Sequence, residues 1–157
     1  MDAIVAVYSD WGIGAGGTQP VVLKADRAQF RRVTDGKTVI VGRRTLADFP
    51  GGKPLKGRRN IVVTRQNILI DGAEIAHSVE EAAEMCDNDA VVIGGASVYR
   101  DFFPLITRVF VTKIDLRPES DSFFPNLDTL PDWQLTDGGE ELCEGDIAYR
   151  FTVYERK

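Results

Sequence analysis

One acid, Asp26, follows the apolar run Val21-Val22-Leu23 and stands just ahead of the aromatic Phe30. A carboxylate set among those side chains would meet an apolar wall. Such a wall raises the pKa and strengthens hydrogen bonds to a cationic or amidine-like ligand edge. The same residue in the first turn of a helix needs only the helix dipole to account for it. Local sequence leaves both readings open.

Three further stretches could carry an anion. In VVIGGASVY a buried strand meets Gly94 and Gly95 and then a helix, so a ligand can approach the backbone and a phosphate can sit at the helix start. A tight strand-to-helix turn explains the same glycines, and no GxGxxG fingerprint decides between the two. In TVIVGRRT a strand ends at Gly42 and delivers Arg43, Arg44 and Thr45 to a helix start, where two cations oppose the dipole unless an anion is bound. In NIVVTRQ, Thr64 and Arg65 follow a strand end, a hydroxyl and a guanidinium able to hold a phosphate monoester. Ligands of parallel sheets bind at the carboxyl ends of the strands, so the three loops could share one edge and suggest a phosphate-rich cofactor such as NADPH. Solvated surface arginines are the bland alternative. Hydrolysis has little support: the single histidine, His77, reads as a strand-end surface residue, and there is no GxSxG elbow, HExxH or clustered metal-ligand set. No metal is expected.

Positioning these residues requires alternating strands and helices. Apolar, β-branched runs at 3–8, 38–41, 60–64, 73–76, 90–94 and 108–114 predict buried strands of a mostly parallel sheet, and the alternating run 148–156 predicts an antiparallel strand at the sheet edge. Four helices fit between them. The first covers Lys24 to Val33, and a short second starts near Arg43 and ends before Pro50. A third is capped by Ser78 with Glu81, and a fourth runs from about Ala96 and stops before Pro104.

At 157 residues the chain fits one α/β domain, 1–157, with a core of its own. The apolar runs are too short to cross a bilayer, and MDAIVAVY reads as a first strand and not as a leader, so a cytoplasmic protein is expected. A net charge of −5 argues against a nucleic-acid binder, and the arginines concentrated between 43 and 65 look like a local anion site. Cys86 and Cys143 follow no disulfide or zinc pattern.

Taken in order, GIGAGG…P, ADRAQFRRVT, VIVGRRT, PLKGRRNIVVTR, VVIGGASVY, VTKI, DSFFP and YRFTVYERK resemble dihydrofolate reductase across essentially the whole chain. The resemblance implies a single-domain fold with a central, mostly parallel eight-stranded sheet, an antiparallel C-terminal edge strand and four flanking helices. It implies NADPH-dependent reduction of 7,8-dihydrofolate to tetrahydrofolate, hydride passing to pterin C6 and a proton to N5, in support of one-carbon metabolism and thymidylate synthesis. It also implies a monomer that binds dihydrofolate and antifolate inhibitors and neither nucleic acid nor membrane. Asp26 would be the active-site acid, supported by Thr112 and facing the pterin's 2-amino and N3 edge. Phe30 would flank the pterin and its benzoyl extension, and Arg58 would grip the glutamate α-carboxylate. Val5, Ala6, Phe49 and Ile93 would complete the substrate wall. Ala6, Ile13, Gly14 and Ile93 would line the nicotinamide pocket, with Tyr99 closing the site. Gly42, Arg43, Arg44, Thr45, Val63, Thr64, Arg65 and His77 would bind the cofactor's phosphates and flank them, and Gly94, Gly95, Ala96, Ser97 and Val98 would form the turn under the pyrophosphate. The chain departs from the pattern in having Val21 where bacterial members commonly have tryptophan, Lys24 where proline is common, Gln19 in the mobile loop, and a longer DFPGGK stretch beside Phe49. A pyrimidine reductase of the riboflavin pathway would share the NADPH loops but not the Asp26/Arg58 pair. A nucleotide-binding protein without catalysis would bind both ligands without turnover.

Overall fold

The computed structural model describes residues 1–16 and 19–157; Gly17, the last glycine of the GIGAGG run, and Thr18 lie outside the described residues. In chain order the elements are β1 (Asp2–Val7), β2 (Gly12–Gly14), α1 (Lys24–Thr34), β3 (Thr38–Gly42), α2 (Arg43–Ala47), β4 (Arg59–Val63), β5 (Ala73–Ala76), α3 (Val79–Met85), β6 (Val91–Gly94), α4 (Ala96–Phe102), β7 (Arg108–Ile114), β8 (Ser122–Phe123), β9 (Trp133–Asp137), β10 (Leu142–Glu144) and β11 (Ile147–Arg156). The seven strands and four helices expected from the apolar pattern are present, each within a residue or two of its expected limits.

One sheet carries the order β10-β11-β7-β1-β6-β3-β4-β5. The six strands from β7 to β5 are parallel to their neighbours, and β11 runs antiparallel to β7. Two details differ from the expected sheet. The C-terminal strand is not the edge, and among the described residues the sheet has nine strands, not eight. The cause is the length of β11: its ten residues leave one side open beyond β7, which β10 covers at Ile147 to Tyr149 and β9 at Val153 to Arg156. A small second sheet pairs β2 with β8 through Gly12–Phe123 and Gly14–Ser122.

Strand alternation gives the sheet two working faces. Ala3, Val5 and Val7 of β1 pack on the face covered by α3 and α4, with Ala82, Val98, Tyr99 and Phe102. Ile4 faces the other side, where Phe30 and Val33 of α1 and Leu46 of α2 cover the sheet. Ala6 and Tyr8 continue that side under Leu23 and Ala25 at the start of α1. The helix ends follow simple rules. Ser78 Oγ accepts the Glu81 amide to start α3, and α4 gives way to a 3-10 turn at Phe103–Leu105, where Pro104 cannot continue a helix.

An aromatic cluster anchors the short sheet to the long one. The ring of Phe124 sits 5.1 Å from Tyr99, 6.2 Å from Phe103 and 6.5 Å from Trp11, and its amide donates to Trp11 O at 3.0 Å. Phe124 is fully buried, so truncation removes edge-to-face contacts together with a large apolar area. Phe124→Ala is expected to lower the unfolding free energy by about 3–5 kcal/mol in urea titration. A loss below about 1 kcal/mol would mean that the cluster can collapse around the gap.

Candidate functional site

Asp26 lies in the first turn of α1, three residues past the N-cap residue Leu23, whose side chain caps nothing. At that position an acid ordinarily serves the helix's own orphan amides. Here those amides are taken by another residue. Glu144, at the end of β10, accepts Lys24 N and Ala25 N, each at 2.9 Å. The Asp26 carboxylate points instead into the sheet, where Thr112 Oγ1 donates to Oδ1 at 2.6 Å. Thr112 is buried on β7 and pairs with Ala6 on β1, so acid, hydroxyl and Ala6 share one face. Burial pushes the Asp26 carboxyl up from its ordinary value, and the Thr112 hydrogen bond pulls part of the way back. Asp26 is therefore a pocket acid whose capping duty has passed to Glu144.

The other end of α1 holds the guanidinium. Arg58 donates from Nη1 to Thr34 Oγ1 at 3.1 Å and from Nε to Lys56 O at 3.0 Å, while Thr34 donates back to Phe30 O at 2.7 Å. Asn60, buried on β4, fixes this loop by bonding Leu55 N, Leu55 O and Arg58 O. Thr34 comes eight residues after Asp26, and at 1.5 Å per residue the helix sets the two ends about 12 Å apart. Between them Phe30, Phe49 and Leu55 pack with Ile4 and Ile93 in one apolar cluster. The arrangement is an elongated apolar wall with an acid at one end and a cation at the other. It suits a flat ligand with a polar, amidine-like head and a carboxylate tail.

The strand ends supply a second half of the site. Gly42 pairs with Val63, Val63 with Ala76, and Val41 with Gly94, which brings the ends of β3, β4, β5 and β6 to one edge. The register jumps between Ile40 and Val41, leaving Ile93 as an extra residue in a bulge beside the glycines. Gly94 has φ 119°, which side-chain-bearing residues rarely adopt, and a Cβ on Gly95 would stand 3.0 Å from Thr45 Oγ1. The Gly94–Gly95 peptide is cis. Around this turn Thr45 is half-buried and Arg43, Arg44, Arg65, His77 and Ser97 are exposed. Arg43 Nη1 bonds Gln66 Oε1 at 2.6 Å, His77 Nδ1 lies 2.9 Å from Thr64 O, and Thr64 N donates to Ala76 O. A hydroxyl, three guanidiniums and a backbone turn that admits no side chain form a cradle suited to phosphate groups. Ala96 opens α4 on this edge, whereas Val98 is buried in the core behind it.

Tyr99 is buried and donates its hydroxyl to Ile4 O at 2.6 Å; burial pushes its own pKa far up, with the nearby Asp26 charge adding to it. Ile13 packs against the same core cluster, and Gly14 pairs with Ser122. One expected wall residue is placed differently: the side chain of Val5 points to the α4 face, away from Asp26, while its neighbour Ile4 faces the cluster of Phe30 and Phe49. Sequence reading missed four contributors. These are Ile4; Glu144; Asp121, which accepts Gly16 N at 2.9 Å and donates to Gly14 O; and Tyr8, which bonds Val21. Strict alternation along β1 could have found Ile4, since residues 4 and 6 share a face. The other three act across long sequence separations and leave no local signal.

Fold and site together define an α/β architecture with a half-buried acid beside an elongated apolar wall and a glycine- and arginine-rich turn at the carboxyl edge of a parallel sheet, where ligands of such sheets bind. A family model described as dihydrofolate reductase matches residues 1–156. The dihydrofolate reductase of Neisseria meningitidis serogroup A is 44% identical over 98% of this chain and 96% of its own, and that of Mycobacterium tuberculosis is 38% identical over 92% and 90%. A solved structure of the Enterococcus faecalis dihydrofolate reductase, complexed with NADP(H) and RAB-propyl, superposes with a TM-score of 0.87 at 29% identity, covering 99% of this chain and 95% of that one. The chain belongs to the dihydrofolate reductase family and is an oxidoreductase.

The raised carboxyl has a consequence for stability. Its folded-state pKa lies above the ordinary 3.8, so the favourable, protonated form is fully present below that value and is lost as pH rises through the folded-state pKa. At neutral pH the ionised native acid therefore opposes folding. Asp26→Asn is expected to unfold at a higher temperature than the parent protein at pH 7, with the difference disappearing near pH 3. Equal melting temperatures at pH 7 would contradict the burial argument.

Proposed function

We propose that the protein reduces 7,8-dihydrofolate to 5,6,7,8-tetrahydrofolate, that its reductant is NADPH, and that residues 1–157 form one domain acting as a monomer in the cytoplasm. The observation that carries the reading is the Asp26 carboxyl, held by Thr112 Oγ1 at 2.6 Å with the helix start capped by Glu144. Asp26 then pairs with the pterin's 2-amino and N3 edge and favours the protonated imine at N5. Phe30, Phe49, Ile93 and, from β1, Ile4 and Ala6 wall the pterin and its benzoyl extension. Arg58 receives the glutamate α-carboxylate, a task that suits a planar guanidinium better than an ammonium. The apolar wall of Phe30, Phe49 and Leu55 between the acid and the guanidinium supports this pairing.

The cradle of Thr45, Gly94, Gly95, Arg43, Arg44, Thr64 and Arg65 supports a dinucleotide bearing an additional phosphate, and the Enterococcus faecalis neighbour is complexed with NADP(H). When bound, NADPH supplies the hydride. Ala6, Ile13, Gly14 and Tyr99 would exclude water beside its nicotinamide; Ala96, Ser97, Val98, Val63, Gly42 and His77 complete or support the phosphate side. Antifolate inhibitors would compete for the Asp26 end of the wall.

Dihydrofolate-dependent loss of NADPH absorbance tests the reading directly. Because the carboxyl is raised by burial, its assistance to protonation is present below the folded-state pKa and fades as pH rises through it, so turnover is expected to fall on the alkaline side. Asp26→Asn is expected to cut turnover at neutral pH by roughly 10²- to 10⁴-fold while NADPH binding stays intact. Equal turnover in the variant would refute the assigned role. Arg58→Ala removes charge-assisted hydrogen bonds, so the expectation is a rise in KM for dihydrofolate of about 10- to 150-fold with kcat little changed. An unchanged KM would remove Arg58 from the substrate site.

A further inference from the structure

We propose that Tyr8 is a positioning residue for Asp26: its hydroxyl latches the backbone of Val21, and so holds the segment that leads into α1 down over the acid. The proposal rests on the reading of Asp26 as the acid of the reductase. Tyr8 follows β1 on the same face as Ala6, and it is 2% exposed. Its hydroxyl donates to Val21 O at 2.9 Å and accepts from Val21 N at 3.0 Å. A tyrosine hydroxyl has one hydrogen and two lone pairs, so Val21 alone occupies the donor and one acceptor site. Because both backbone groups of a single residue are engaged, the segment is held against rotation as well as translation. The bonds also lie at a buried ring, where competition from water is weak.

The main chain of Tyr8 serves the other end of the same segment. Tyr8 N donates to Gly12 O and Trp11 N donates to Tyr8 O, each at 2.9 Å, which closes a turn at the start of the stretch that runs from β1 to α1. The ring packs among Ala6, Leu23, Ile114 and Tyr149, with Val21 and Ala25 against the same cluster. Leu23 and Ala25 immediately precede the acid, so holding Val21 holds the lid on its apolar surroundings. Val21 itself offers no polar side chain, which leaves its main chain as the only group a latch can grip. The groups facing Asp26 come from three elements: Tyr8 beyond β1, Thr112 from β7 and Tyr99 from α4. Lys24 and Glu144 stand at the helix start. The hydroxyls of Tyr8 and Tyr99 are both committed to main-chain carbonyls and, among the described residues, the acid's side-chain bond comes from Thr112, so the latch acts on the acid through the packing of residues 21–25.

Tyr8→Phe keeps the ring and deletes the latch. The test compares it with the parent protein and with Tyr149→Phe, which removes a hydroxyl from the same cluster without touching Val21. Amide exchange at Val21 in the ligand-free protein is expected to rise about fivefold in Tyr8→Phe, the effect of losing one hydrogen bond. Looser packing admits water to Asp26. The protonated fraction of its carboxyl, read by carbon-13 titration without substrate, should fall about threefold at a given pH. The alkaline fall of turnover should then move to lower pH, with activity recovered in acid and NADPH affinity unchanged. Unaltered Val21 exchange, an unaltered Asp26 titration, or a loss of turnover equal at every pH would each overturn the proposal, as would an equal change in Tyr149→Phe. A shifted titration in a parent protein that turns over no dihydrofolate would sink the reductase reading and leave the latch standing.

Discussion

A helix can offer an acid in its first turn to a ligand only if something else satisfies the helix. The first amides of α1 have no intrahelical partners, and an aspartate three residues past the N-cap is well placed to be drawn back to them. Glu144 removes that competition by reaching over from a strand 119 residues away to take Lys24 N and Ala25 N. Its carboxylate is held below the usual range by those two amides, so the cap persists wherever the pocket acid itself titrates. The rest of the site depends on this division: once the helix is capped from outside, Asp26 can turn toward Thr112, and β7 can set its height against Ala6.

The same dependence explains the extent of the C-terminal strands. A strand pairing only with β7 would hold Thr112 from one side, but it would bring no residue to the start of α1. The hairpin of β10 and β11 does both. Phe151 of β11 lies beside Thr112 in register, and the turn at Gly145 leaves Glu144 at the sheet margin under Lys24. What looks like edge decoration on a parallel sheet is therefore part of the support for the acid.

Sequence made the parallel sheet legible because strands buried on both faces need unbroken apolar runs, and IVAV, TVIV, IVV and VVIG have them. The helix boundaries were legible at Ser78, Pro50 and Pro104, where caps and proline act within a few residues. Asp26, Phe30 and the loops after Gly42 and Gly94 were singled out as candidates from residue type and order, and Arg58 from the family resemblance. β2 and β8 were not, since strands of three and two residues carry no period. Glu144, Asp121 and Tyr8 were not because each acts through a partner's main chain, and a backbone N–H or C=O has no residue type to recognise. The choice between helix-start residue and pocket acid fell in the same blind spot: it depended on Glu144, not on anything near Asp26.

The choice of Thr112 as the acid's partner follows from what the carboxyl must do. An arginine or lysine there would pull the pKa down and fix the group as a permanent anion, as Arg59 does for Glu74 at the surface. An apolar residue would leave burial unopposed and drive the pKa higher still. A single hydroxyl offsets part of the desolvation without supplying charge, which leaves the acid responsive to a ligand that brings its own hydrogens. A guanidinium stands instead at the far end of α1, where Arg58 is held by Thr34 and by the loop that Asn60 fixes. Burial and the Thr112 hydrogen bond, and not Arg58, set the shift of the Asp26 carboxyl, so the guanidinium stands at the other end without depressing the acid. The helix works as a spacer, and its length sets how far apart the acid and the guanidinium stand.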